Sequence, residues 1–157
     1  RRLVYMVGGS EAGFAKARPY FEATTDVAPI FAGPLGCGAK LKLCNNLNTN
    51  ILFAAAQEAT NLARASGLSP ELLEQVCRAN GQFTDMTLAY LAGKKQPDGV
   101  LASEGYQRFA WNMAALAEKD LAWALALARK SDVSLPVTAL VSQLAAGIYG
   151  VRDTKRK

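Results

Sequence analysis

A chain of 157 residues, half of them hydrophobic, is long enough to bury one ordinary core and too apolar to be disordered. Its net charge of +5 comes partly from the ends (Arg1, Arg2, then Arg152, Lys155, Arg156 and Lys157), and no basic stripe with interleaved aromatics runs between them, so no nucleic-acid partner is expected. With no histidine, and with Cys37, Cys44 and Cys77 at no paired short spacing, the chain offers no Ser-His-Asp or Cys-His catalysis, no disulfide framework and no metal site.

Leu3 to Val7 reads as a short buried strand ended by Gly8-Gly9. Ser10 is suited to cap a helix over Glu11 to Glu22, and Ala28 to Ala32 reads as a second strand, placed at an edge by its flanking prolines. This strand-helix-strand opening is too small to be an α/β domain and reads as the end of one. A long helix is expected from about Ala39 to Ala65, with Gly67 as its stop and an apolar stripe of Leu41, Cys44, Leu47, Ile51, Leu52 and Ala55 that takes in Asn48. Ser69-Pro70-Glu71 starts a helix to about Asn80, and a short helix covers Thr84 to Leu91. Gly93 to Ser103 reads as a polar loop. Tyr106 to Lys130 is a long helix, and Ser134-Leu135-Pro136 starts a last one to Tyr149. The expected fold is mainly α: a βαβ remnant over 1–34, then a helical bundle over 35–157. Such bundles bury faces against each other and often against a second subunit. The thiols suit a reducing compartment, and the chain shows no signal peptide and no apolar run long enough for a membrane span, so a cytoplasmic protein off the membrane is expected.

The stretch Gly36-Cys37-Gly38-Ala39-Lys40-Leu41-Lys42-Leu43-Cys44-Asn45-Asn46 concentrates the chemistry. At helical spacing Lys42, Asn45, Asn46 and Thr49 share one face, and Lys40 does not. A lysine partly withdrawn from water can exchange a proton near neutral pH, and an asparagine one turn away can hold both the amine and a substrate oxygen. The glycines allow a backbone or ligand to come close. A solvated Lys-Asn surface is the competing reading, and Gly36-x-Gly38 alone is not a dinucleotide fingerprint.

This stretch resembles the G-x-G-x-x-x-K-x-x-N-N motif of the β-hydroxyacid dehydrogenases, the family of 3-hydroxyisobutyrate dehydrogenase and 2-hydroxy-3-oxopropionate (tartronate semialdehyde) reductase. The opening "LVYMVGGSEAGFAKARPYFEA" resembles the last part of that family's nucleotide domain. Glu118-Lys119-Asp120-Leu121 resembles its K-D-L motif, and Gly150 to Thr154 resembles its C-terminal turn. The resemblance implies a 6-phosphogluconate dehydrogenase C-terminal-domain-like bundle that binds substrate and forms a homodimer or tetramer. It implies Lys42 as general acid/base for the hydroxyl of a small β-hydroxy acid, with Asn46 orienting it and Asn45 and Asp120 against the substrate. Lys119 and Gly38 would contact NAD or NADP. The family's nucleotide fingerprint and its Ser-Gly-Gly segment would lie upstream of Arg1, so this chain alone should not turn over. The family's usual aromatic eight residues before the aspartate is here Asn112; either Phe109, three helical turns from Asp120, stands in for it at the substrate, or a turn has been inserted. Cys37 and Cys44 read as small packing residues. Asn45, where phosphogluconate dehydrogenases carry histidine, argues against a sugar phosphate, and Lys42 argues against an imine reductase. Tyr106 and Trp111 are expected to shape the substrate end. The alternative is a helical oligomerisation or interaction module of this family without catalysis.

Overall fold

The computed structural model describes residues 3–152. The chain order is β1 (Met6–Gly8), α1 (Glu11–Glu22), β2 (Ile30–Gly33), α2 (Cys37–Ala65), α3 (Pro70–Ala79), α4 (Asp85–Lys94), α5 (Asp98–Leu101), α6 (Glu104–Lys130) and α7 (Pro136–Tyr149). The expected mainly helical bundle after a βαβ piece is what forms. The caps follow the side-chain chemistry. Ser10, Ser69, Thr84 and Ser103 each accept a hydrogen bond from an otherwise unpaired amide in the first turn of the helix they precede.

Several expectations need correction. Leu3 to Tyr5 form no strand, and Leu3 and Val4 are exposed, because β1 pairs only along Met6–Gly8. Its partner β2 runs parallel, Met6 opposite Ile30 and Val7 opposite Phe31. The Gly93–Ser103 stretch is not all loop: α4 continues to Lys94 and α5 forms within it. The last helix begins after Leu135, which makes no side-chain cap. The basic residues Arg1, Arg2, Lys155, Arg156 and Lys157, and Asp153-Thr154 of the C-terminal turn, lie outside the described residues. Within them, Gly150 takes the left-handed conformation that closes α7.

The core sits where α2, α6 and α7 cross. Phe53, Ala54, Leu121, Val141 and Ile148 form its centre, and Ala110, Ala114 and Val151 form a second cluster with Trp111 against it. Along α6 the buried face is Ala110, Ala114, Ala117, Leu121, Ala124 and Ala128, a row of small residues at three- and four-residue spacing. Small side chains let the neighbouring helices approach closely, and this brings α2 and α6 together at their polar positions.

The stripe read along α2 holds only in part: Leu47 and Ile51 pack against the core. Leu41, Cys44, Asn48 and Ala55 are exposed, so Cys44 is no packing residue, and the buried positions are Gly38, Asn50, Phe53, Ala54, Ala56, Thr60 and Ala63. At the N-terminus of α2, Gly36 has φ +89° and Gly38 lies under β1. A Cβ on Gly38 would fall 2.4 Å from the Met6 carbonyl oxygen, so only glycine lets helix and strand meet here.

Candidate active site

α2 and α6 turn their polar positions toward one cavity of about 400 Å³, walled by Lys42, Asn46, Thr49, Asn50 and Phe53 from α2 and by Met113, Leu116, Lys119 and Asp120 from α6. Met86 of α4 and Tyr149 of α7 complete it. Asn46 and Asp120, far apart in sequence, meet directly: Asn46 Nδ2 donates to Asp120 Oδ2 at 2.6 Å. Lys119 Nζ lies 3.0 Å from Asp120 Oδ1. Below them Asn50 donates to the Asn46 carbonyl at 2.9 Å and accepts from the Tyr149 hydroxyl at 2.9 Å. Asn50 is buried, so both ends of its amide need partners, and they have them.

Asp120 is buried, and burial alone would push its carboxyl upward. The hydrogen bonds from Lys119 and Asn46, with the positive charges of Lys42 and Lys119, outweigh that and hold it below the usual carboxylate range. Asp120 is therefore ionised at neutral pH. Two lysines against one carboxylate leave the cavity with an excess positive charge, which suits an anionic ligand.

Lys42 lines the cavity but is exposed, which corrects the expectation of a lysine withdrawn from water. Among the described residues it makes no hydrogen bond or ion pair, so its N–H groups are open. Asn46 keeps one amide N–H beyond the bond to Asp120. Asn45 faces away from this cavity: it is exposed and its Nδ2 donates to Asn46 Oδ1 at 3.3 Å. Phe109 does not wall this cavity but the cleft next to it, with Tyr106, and Trp111 packs in the second core cluster instead. The cavity's apolar side, Phe53, Met86 and Met113, was missed by the sequence reading. The apolar half of a site carries no signal distinct from core.

For a dinucleotide the fit is partial. Gly38 is covered by Met6 and Gly8, so the close approach expected of it is made by the chain's own backbone rather than a phosphate. Lys119 remains an exposed ammonium at the cavity rim, open to a negatively charged group.

Comparison with known proteins gives the family. An oxidoreductase of Mycobacterium tuberculosis is 33% identical over 147 residues, 93% of this chain and 49% of that protein. A solved oxidoreductase from Mycobacterium avium is 33% identical with TM-score 0.45, covering 94% of this chain and 53% of that one. The 3-hydroxyisobutyrate dehydrogenase of Pseudomonas aeruginosa is 35% identical over 90% of this chain and 47% of its own length. The 2-(hydroxymethyl)glutarate dehydrogenase of Eubacterium barkeri is 30% identical over 92% and 45%. The family model described as NAD-binding of NADP-dependent 3-hydroxyisobutyrate dehydrogenase matches residues 36–153. The chain belongs to that family, and it spans about half the length of the curated relatives it matches.

Proposed function

We propose that this chain is the substrate-binding part of an NAD(P)-dependent dehydrogenase acting on the hydroxyl of a small β-hydroxy acid, of the 3-hydroxyisobutyrate or 2-hydroxy-3-oxopropionate type. Residues up to 34 close a nucleotide-binding domain, and 35–157 form the helical domain, which self-associates. The observation that carries the reading is the convergence of Lys42 and Asn46 from α2 with Lys119 and Asp120 from α6 on one cavity. The family membership and the dehydrogenase names of the relatives support it.

In this reading the excess positive charge holds the substrate carboxylate. Lys42 takes the proton from the β-hydroxyl oxygen during oxidation and returns it during reduction. Asn46, fixed by Asp120, turns its free N–H toward that same oxygen. Asp120 acts through Asn46 and Lys119 and keeps both in place. The nicotinamide supplies the hydride acceptor when it is bound, and Lys119 is the residue of this chain placed at the rim to meet it.

The test uses the full-length protein, nicotinamide absorbance and a panel of three- and four-carbon β-hydroxy acids. Lys42→Ala should lower kcat/KM by about a thousandfold, within the range for removing a general acid/base, while cofactor affinity changes only a few-fold. Retained turnover removes Lys42 from its role. The exposure of Lys42 in this chain is the observation that favours a helical interaction module instead. No turnover on any acid with either cofactor would select that module.

A further inference from the structure

A separate cavity of about 180 Å³ lies between the second half of α2 and the end of α4. Gln57, Thr60, Asn61 and Arg64 wall it from α2, and Lys94 and Lys95 from α4. The four α2 residues recur at three- and four-residue spacing, so they share one face. At the helical rise per residue Thr60 stands about 27 Å along α2 from Lys42, so no three- or four-carbon acid touches both.

Three of the wall groups are not used by the fold. The Thr60 hydroxyl is buried and has no hydrogen-bond partner among the described residues, a state that native folds seldom leave unfilled. Arg64 and Lys94 have no acidic partner among the described residues. Lys95 shows the contrast: its Nζ sits 2.8 Å from Glu71 and 2.9 Å from Glu74. Three cations therefore face two acids, and both acids stand on the Lys95 side. Lys94 Nζ lies 5.4 Å from the centre of the Tyr90 ring and, at the end of α7, 3.0 Å from the point where a Gly150 side chain would begin. The Tyr90 hydroxyl lies 2.6 Å from Gln57 Oε1 and 2.7 Å from the Ile148 carbonyl oxygen, so the ammonium and the Gln57 amide border one ring. A partly buried ammonium without a counter-charge is costly to keep. Arg64 and Lys94 each stand in the last turn of a helix, where the backbone alone favours a cation. That role calls for neither a cavity between them nor an unpaired hydroxyl beside it.

We infer that this cavity binds a phosphate group, free or as the ester of a small metabolite, through the Arg64 guanidinium, the Lys94 ammonium and the Thr60 hydroxyl. A guanidinium fork takes two oxygens of a tetrahedral oxyanion and leaves the others to the ammonium and the hydroxyl. A carboxylate, with two oxygens and one charge, would leave one of the two cations unmatched. The inference holds whether or not the chain serves a dehydrogenase.

The test is calorimetric titration of the full-length protein at pH 7 with inorganic phosphate, with methyl phosphate and with acetate as the singly charged control. A charge-assisted contact of this kind is worth about tenfold or more in affinity. Phosphate should therefore bind at least about tenfold more tightly than acetate. Arg64→Gln and Lys94→Met should each raise the phosphate Kd by about that factor. Thr60→Val should raise it a few-fold and leave the phosphate-free protein no less stable, because a methyl needs no partner. Methyl phosphate bound as tightly as phosphate upholds the site for an ester, and binding of inorganic phosphate alone upholds it for the free ion. A phosphate Kd unchanged by both Arg64→Gln and Lys94→Met overturns the inference, and one raised only by Lys42→Ala puts the anion in the catalytic cavity instead. No binding of either phosphate up to about 10 mM also overturns it and leaves Arg64 and Lys94 to their helix ends.

Discussion

Lys94 is a cation that the fold alone would do better without. Burial brings its ammonium down to about 8 from the ordinary lysine value of 10.5. The folded value lies below the unfolded one, so between those two pH values the unfolded chain binds more protons and stability rises with pH. Below about 8 the penalty is present in full. The side chain is only partly buried, which reduces the penalty to about 1 kcal/mol after solvent screening. Lys94→Met should therefore stabilise the protein by about that amount at pH 7, and the gain should vanish as pH approaches 10.5. Urea midpoints of the two proteins across that range read it directly. A loss at pH 7 that stays constant with pH would mean that Tyr90 and the end of α7 hold the cation favourably. Lys42, Asn46, Lys119 and Asp120 could be singled out in the sequence because two short motifs carry them. Lys94 could not, since nothing in Lys94-Lys95 tells which lysine meets Glu71 and Glu74 in space.

At the scale of the element, α2 explains why the helix was legible and its inner face was not. Its ends are written in Gly36 and Gly67, and its length in the sustained period. Hydrophobic side chains mark only part of that face, Leu47 and Ile51, because the side that turns inward also carries Asn46 and Asn50. Amides are tolerated there because each is paired, Asn46 with Asp120 and Asn50 with Tyr149. Local rules give way where a site is built. The two glycines that open α2 do different work, and substitution separates them. Ala at Gly38 would put its Cβ against the Met6 carbonyl, which is backbone and cannot step aside. Ala at Gly36 meets open space and suffers only the positive φ. Gly38→Ala should cost about 3 kcal/mol, at the upper end for overpacking, and Gly36→Ala about 1 kcal/mol. Chemical denaturation ranks them. Equal costs would show that β1 moves freely off the start of α2.

On the whole molecule, the exposed apolar side chains of α6 and α7 are not scattered. Phe109, Leu116 and Trp123 recur every seven residues along α6, and Val137, Leu140 and Leu144 recur at three- and four-residue spacing along α7. Residues seven apart on a helix fall near one line, so each helix presents a row and not isolated exceptions. The same helices turn their alanines and Val141 inward, so both are apolar on two sides, as helices shared between two bodies are. A second copy of the helical domain is the occupant this reading requires, since self-association belongs to it. The full-length protein should sediment as a dimer or larger at micromolar concentration. Trp123→Glu combined with Leu140→Glu should shift it toward monomer, because charge at the centre of an apolar interface costs several kcal/mol. A wild-type monomer would assign these rows to contacts within one chain. An oligomer indifferent to both glutamates would move the interface off α6 and α7, leaving the Lys42 cavity to be closed by another surface.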